Sequence, residues 1–368
     1  MKSTHLLYLF ITQGLASIAS SLCSRVSFRI DASAENILFS ASPNPRNATA
    51  THDFLASSLA TGPPINGTTR ISGEFTFNGI YCRPRSRTRS RNTLQVLVHG
   101  LTYDKSMWSG LGYSSLYDWQ KFANSRGYHT LAIDRLGHGE NLDFYDPLAV
   151  VQGPIQINQL HVLLQSARHG LLDGVGKFNR IAFIGHSYGS TLGNYLAQDY
   201  AGDVDAFVLT GYSSTATIPT NLIPDFQSAA TIIRRFKNTP LGYLTVSSEK
   251  ARTGAFYGGK FDRSLAQYDF KVEDTVSLGE YLTPGAQPVS TSYEGHVLVV
   301  TGDRDSIFCT TGPDTCAETL NKTGQDIFPK AVYDYFVVPE TGHCLTLHYS
   351  APKAFKVAHD WLDNVFEL

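Results

Sequence analysis

Ser187 stands at the centre of Gly185-His186-Ser187-Tyr188-Gly189, directly after the apolar run 181–184 and directly before a helix-forming segment at 190–200. A strand that reverses into a helix this tightly forces unfavourable backbone angles on the serine. It also leaves no room for side chains two residues to either side, which calls for glycine at 185 and 189. Such a nucleophile elbow lifts the hydroxyl above a sheet and aims the N-terminus of the following helix, with its dipole and free N–H groups, at the reacting atom. Gly-x-Ser-x-Gly also arises by chance, so its place between strand and helix carries the weight.

A serine hydroxyl is a poor nucleophile until a base accepts its proton. Of twelve histidines, His343 is the expected base, because Gly342-His343 follows the strand-like segment 335–338 and the turn Pro339-Glu340-Thr341; His348 is the fallback. The base needs a carboxylate to fix its tautomer and stabilise the imidazolium. Gly302-Asp303-Arg304-Asp305 follows the apolar run 297–300, with Asp305 the expected partner and Asp303 a brace of the turn.

An oxyanion hole needs two donors: Tyr188 N–H, just after the nucleophile, and Leu101 N–H in His99-Gly100-Leu101, where Gly100 lets the backbone approach substrate. The bland alternative is that His99-Gly100 merely ends a strand. Asp134-Arg135-Leu136-Gly137-His138-Gly139 reads as a structural turn beside the pocket and not as a metal site, since no further ligand is spaced to complete one. Tyr103, Trp108, Tyr113 and Tyr117 read as core, some of them lining an acyl pocket.

These residues need a parallel sheet to hold them. Short continuous apolar runs at 94–98, 130–133, 181–184, 206–209 and 297–300 read as strands buried on both faces. They alternate with helix-length segments at 116–126, 157–172 and 190–200, which gives an α/β class with crossover helices on both faces of a mostly parallel sheet. Residues 24–91 read as antiparallel edge strands at 26–30 and 73–81, separated by a Ser/Ala/Pro/Asn-rich stretch. Arg83, Arg85, Arg87, Arg89 and Arg91 read as a solvated hairpin loop between strands. The expected core is 22–212 with 295–368. Residues 213–294, which carry no buried strand in this reading, form a lid inserted above the strand ends.

The set His99-Gly100, Asp134 to Gly139, Gly185 to Gly189, Gly302-x-x-Asp305 and Gly342-His343 resembles the α/β-hydrolase fold family, in its serine esterase and lipase-like branch, over about residues 75–365. The chain order Ser, Asp, His is the order of that family. The resemblance implies a cofactor-free enzyme forming an acyl intermediate on Ser187 and cleaving a small-molecule or lipid ester. The alternative is a hydrolase-fold protein catalysing a non-hydrolytic step such as cyclisation or condensation.

Composition bounds the rest. The 368 residues are 42% hydrophobic and 17% charged with net charge -2, a globular balance without the basic surface that nucleic acid requires. Residues 1–21, with Lys2 before an apolar run and small residues at 17–21, read as a secretory signal too short for the ~20 residues of a membrane span. Sequons at Asn47, Asn66 and Asn321 agree with secretion and resemble secreted fungal members of the family. Cys309 and Cys316, seven apart, suit a bridged loop. If cleavage removes Cys23, Cys82 and Cys344 remain as a second bridge or as buried free thiols.

Overall fold

The computed structural model describes residues 22–84, 91–141, 145–217, 225–283, 288–309 and 313–367; the signal segment and Arg85, Arg87 and Arg89 lie outside the described residues. The chain begins with β1 (Leu22–Phe39), α1 (Ala48–Thr61) and β2 (Ile65–Arg83). It then alternates through β3 (Thr93–Val98), α2 (Trp119–Ser125), β4 (His129–Ile133), α3 (Gly153–His169), β5 (Arg180–His186), α4 (Tyr188–Asp199) and β6 (Ala206–Thr210). An excursion follows through β7 (Phe226–Ser228), α5 (Ala229–Ile232), β8 (Tyr243–Val246), α6 (Glu249–Phe256), α7 (Arg263–Val272), β9 (Val276–Ser277) and α8 (Leu278–Leu282). The sheet resumes with β10 (His296–Gly302), α9 (Pro313–Ile327), β11 (Val332–Val338) and α10 (Ala351–Val365).

The main sheet has the order β1-β2-β4-β3-β5-β6-β10-β11, antiparallel at β1/β2 and β2/β4 and parallel thereafter. Continuous apolar sequence makes its centre: all six residues of β3 and all five of β6 are buried, as strands covered by helices on both faces must be. One face packs Phe183 and Phe207 against Leu160 and Leu192 from α3 and α4. The other packs Trp108 and Trp119 against Phe355 and Leu362 of α10. Each such side chain contributes about 1.5–3 kcal/mol of transfer free energy. The expected α/β class with a mostly parallel sheet is therefore found.

Four expectations need correcting. The Ser/Ala-rich stretch before β2 holds a helix, α1, capped by Asn47, whose Oδ1 accepts from Ala50 N at 3.1 Å. The arginine segment is no hairpin, because β4 lies between β2 and β3 in the sheet. Within it Arg91 is not solvated: Nη1 donates to Asp363 at 2.5 Å and the guanidinium stacks over Tyr128. The excursion between β6 and β10 does contain strand, since β7, β8 and β9 form a second, three-stranded sheet in which β8 is fully buried. Finally, antiparallel register sets Cys23 opposite Cys82 and these two form the disulfide, leaving Cys344 unpaired and buried; Cys309 pairs with Cys316 as expected.

The β1/β2 ribbon reaches well beyond the sheet. Its register runs from Leu22 opposite Arg83 to Phe39 opposite Ile65, yet only Gly79 to Cys82 pair with β4. Because β2 opposes β4, its first half continues past the C-terminal ends of the parallel strands. There Ile37 N donates to Gln152 Oε1 and Ser33 N to Asn158 Oδ1, fastening the ribbon to the start of α3.

Candidate active site

β5 ends at His186 and α4 begins at Tyr188, so Ser187 carries the whole reversal, at φ 53° and ψ -118°. Such a conformation costs a non-glycine residue about 1–3 kcal/mol. Ser187 N donates to Thr210 O at 2.9 Å, and Thr191 N to Ser187 O at 3.0 Å, which hold it there. A Cβ on residue 185 would stand 2.6 Å from Ser190 Cα, and one on residue 189 would stand 2.2 Å from Val98 O. Both glycines are thus enforced by backbone atoms that cannot move aside.

Asp305 and His343, 38 residues apart, meet where β10 and β11 end: His343 Nδ1 donates to Asp305 Oδ2 at 2.8 Å. The other carboxylate oxygen accepts from Ile307 N at 2.8 Å and Phe308 N at 3.0 Å, so Asp305 also fixes its own turn. With Nδ1 carrying the proton, His343 Nε2 is left with a lone pair. Asp303 accepts from Thr341 N at 3.1 Å and braces the loop. His348 acts as a clamp on the backbone, for its Nδ1 donates to Cys344 O at 2.8 Å, while Nε2 accepts from Gly342 N at 3.0 Å and Gly258 N at 3.3 Å. Both its nitrogens are occupied, which leaves none to serve as a base. Burial lowers its pKa to about 4.

Leu101 follows β3 on a loop that passes close to Ser187, for a Cβ on Gly100 would lie 3.0 Å from Ser187 Cβ. Tyr188 is the first residue of α4, so its N–H has no carbonyl four residues back within the helix. Leu101 N–H has no acceptor among the described hydrogen bonds. Two buried ion clusters position the loop. Arg135 Nε donates to His99 O and Nη2 to Gly100 O, both at 3.1 Å; its Nη1 pairs with Glu280 of α8, which His138 Nε2 also reaches at 2.9 Å. Burial raises the Glu280 carboxyl's pKa, but Arg135 and His138 outweigh it and hold the group ionised.

The second cluster centres on Arg252 of α6, whose Nη1 donates to Thr102 Oγ1 at 2.9 Å and to Glu273 at 2.9 Å, and whose Nη2 donates to Asp269 at 2.8 Å. Thr102, at φ 61°, is further clasped as its N donates to Thr275 O and its O accepts from Asp274 N. The sequence reading missed Arg252 and Glu280 as site residues. For Glu280 a signal existed, since Ser277 and Glu280 form a capping box. For Arg252 there was none.

Ser187, His343, Leu101 and Tyr188 open onto one cavity of about 130 Å³, whose other walls include Leu59, Tyr103, Phe226, Phe256, Tyr281 and Phe308. Among the described hydrogen bonds the His343 ring is joined to Asp305 and none joins it to the Ser187 hydroxyl. Of the four aromatics following the His99-Gly100-Leu101 loop, Tyr103 lines the cavity, Trp108 and Tyr117 are core, and Tyr113 is exposed. The Asp134 to Gly139 turn forms a brace: Asp134 accepts from Lys105 N at 2.9 Å and Glu140 N at 2.8 Å.

The family described as the Alpha/beta hydrolase family matches residues 95–356, well over half of the chain. No curated protein sequence matches it. Among solved structures, an esterase from Thermogutta terrifontis, with malate bound, is 15% identical at a TM-score of 0.52, over 80% of this chain and 95% of that one. A soluble variant of monoglyceride lipase from Saccharomyces cerevisiae, in complex with a substrate analogue, is 16% identical at a TM-score of 0.55, over 79% of this chain and 92% of that one. At such identities the likeness is one of fold.

Proposed function

The chain belongs to the alpha/beta hydrolase family, and from that premise we propose that it is a serine hydrolase cleaving a carboxylic ester, lactones and lipid esters included, through an acyl-enzyme on Ser187. The observation that carries this reading is the convergence on one cavity of a strained serine, an imidazole whose Nδ1–H is held by Asp305, and two uncommitted backbone donors. The resemblance in fold to an esterase and a monoglyceride lipase supports the ester class.

In the proposed sequence Ser187 Oγ attacks the carbonyl carbon as its proton passes to His343 Nε2. Asp305 stabilises the imidazolium so formed. Leu101 N–H and Tyr188 N–H bind the oxyanion, each such donor contributing on the order of 10²–10³ in kcat. Collapse of the intermediate expels the alcohol, which takes the proton from His343; water then attacks the acyl-enzyme with His343 again as base, and Ser187 is released. Residues 213–294, which contribute Phe226, Phe256, Glu280 and Tyr281 to the cavity wall, act as the lid of this core. Secretion belongs to the same proposal. It is supported by the two disulfides and by the exposure of Asn47, Asn66 and Asn321; no described helix is long and apolar enough to cross a membrane.

The test is labelling of the protein by a fluorophosphonate together with turnover of simple aryl esters. Ser187→Ala is expected to abolish both, and retained turnover defeats the assignment. A serine that is labelled while no ester is turned over favours the non-hydrolytic alternative.

A further inference from the structure

We infer that α1, delivered over the site by the N-terminal ribbon, forms the far wall of the acyl pocket through Leu59 and limits the enzyme to short or single-ring acyl groups. The inference rests on the acyl-transfer reading above and adds its substrate class. α1 lies outside the matched residues 95–356, so this wall is a feature of this chain beyond the family core.

The geometry assigns the sides of the cavity. Phe256 and Phe308 lie against His343, their ring centroids 5.8 and 5.7 Å from its own. The leaving alcohol must face His343 to receive its proton, and so it occupies that side. The acyl group then points the other way, toward the wall made by α8 and the oxyanion loop. There Glu280 is tied through Arg135 to Tyr188, whose ring the guanidinium covers at 4.8 Å. That is the side α1 closes. It packs against β7 and α8, burying Leu55 in the cluster that holds Phe226, and sets half-buried Leu59 beside Phe226 and Tyr281 at the cavity surface.

The whole cavity, its alcohol side included, is about 130 Å³, and its walls are mostly apolar, with Thr102, Thr191 and Glu280 among the polar residues. A dry apolar cavity of about 150 Å³ takes up one benzene ring, so the pocket suits an acyl group of up to about six carbons or one ring. Chains longer than that must displace α1 or stay in water. Beyond the limit each added methylene is expected to cost on the order of tenfold in kcat/KM.

The experiment is kcat/KM of the full chain on p-nitrophenyl esters from acetate to dodecanoate and on the benzoate. The wild type is expected to peak at or below hexanoate and to fall on the order of 10⁴-fold by decanoate. Leu59→Ala should move the decanoate-to-butyrate ratio upward by about tenfold, and Leu59→Phe should move it downward. The opposed pair separates a pocket wall from simple loss of folded protein, which lowers all esters alike. A wild-type optimum at decanoate or beyond, or a ratio unmoved by both variants, overturns the inference while leaving the hydrolase reading intact. Absence of turnover on every ester overturns the hydrolase reading itself.

Discussion

The loops bearing Asp305 and His343 are held largely by neutral hydrogen bonds, whereas the loop bearing Leu101 is held by buried charge. On the first side Asp303 N donates to Val338 O, Arg304 N to Thr341 O, Cys344 N to Phe256 O, and Gly342 N to His348. On the second, the fully buried guanidinium groups of Arg135 and Arg252 bridge His99, Gly100 and Thr102 to Glu280, Asp269 and Glu273. The physical consequence is asymmetric. Neutral bonds at strand ends form as the sheet forms, but a buried arginine is tolerable only when its carboxylates have arrived. All three of those carboxylates come from residues 213–294, so the side bearing Leu101 is completed only by the excursion. Charge here fixes one arrangement more than it adds stability, since buried ion pairs seldom outdo apolar packing of equal volume.

The largest effect expected from this contrast falls on the neutral side. Asp305→Asn keeps an oxygen for Ile307 N and Phe308 N, so the turn survives, but it can no longer hold the His343 tautomer. kcat on an aryl ester should fall about 10⁴-fold with little change in the urea midpoint. A loss below tenfold would remove Asp305 from the proposed triad. On the charged side Arg252→Met should act on both properties at once. Asp269 and Glu273 lose their partner, at about 3–5 kcal/mol in urea unfolding, and the freed Thr102 lets Leu101 drift, lowering kcat more than it changes KM. A destabilised variant with unaltered kcat would show that the arginine braces the roof and not the oxyanion loop.

What was legible in the sequence divides along the same line. Ser187, Asp305 and His343 could be named because each is bounded by an apolar strand and by glycines whose spacing leaves few options, and the structure brings Asp305 and His343 together. The parallel strands announced themselves by unbroken apolar runs. α1 did not, because it buries only Thr51, Leu55 and Ser58, and its Ser and Thr residues, following Pro43, Asn44, Pro45 and Asn47, read as turn composition. Arg252 was hidden for a different reason. Its partners lie 17 and 21 residues downstream, beyond any local pattern, and a lone arginine on a helix reads as solvated. The Cys23–Cys82 bridge depends on strand register, which spacing in the sequence does not reveal.

The smallest effect expected, and the one that sharpens the comparison, concerns His348. It is buried, and burial depresses its pKa to about 4, while its Nε2 lone pair is taken by Gly342 N–H and Gly258 N–H. The folded state therefore favours the neutral ring, against about 6.5 for an unfolded histidine. The group's contribution is fully present above pH 6.5 and is lost as pH falls from 6.5 to 4, because over that window the unfolded chain binds the proton first. The span corresponds to about 3 kcal/mol. His348→Gln should cost about 1–3 kcal/mol at pH 7, as two amides lose a well-placed acceptor, and the gap from wild type should shrink as acid is added. Urea unfolding of both proteins at pH 7 and pH 4.5 reads this directly. A gap that is the same at both values would mean that the clamp on the His343 loop does not depend on a neutral ring.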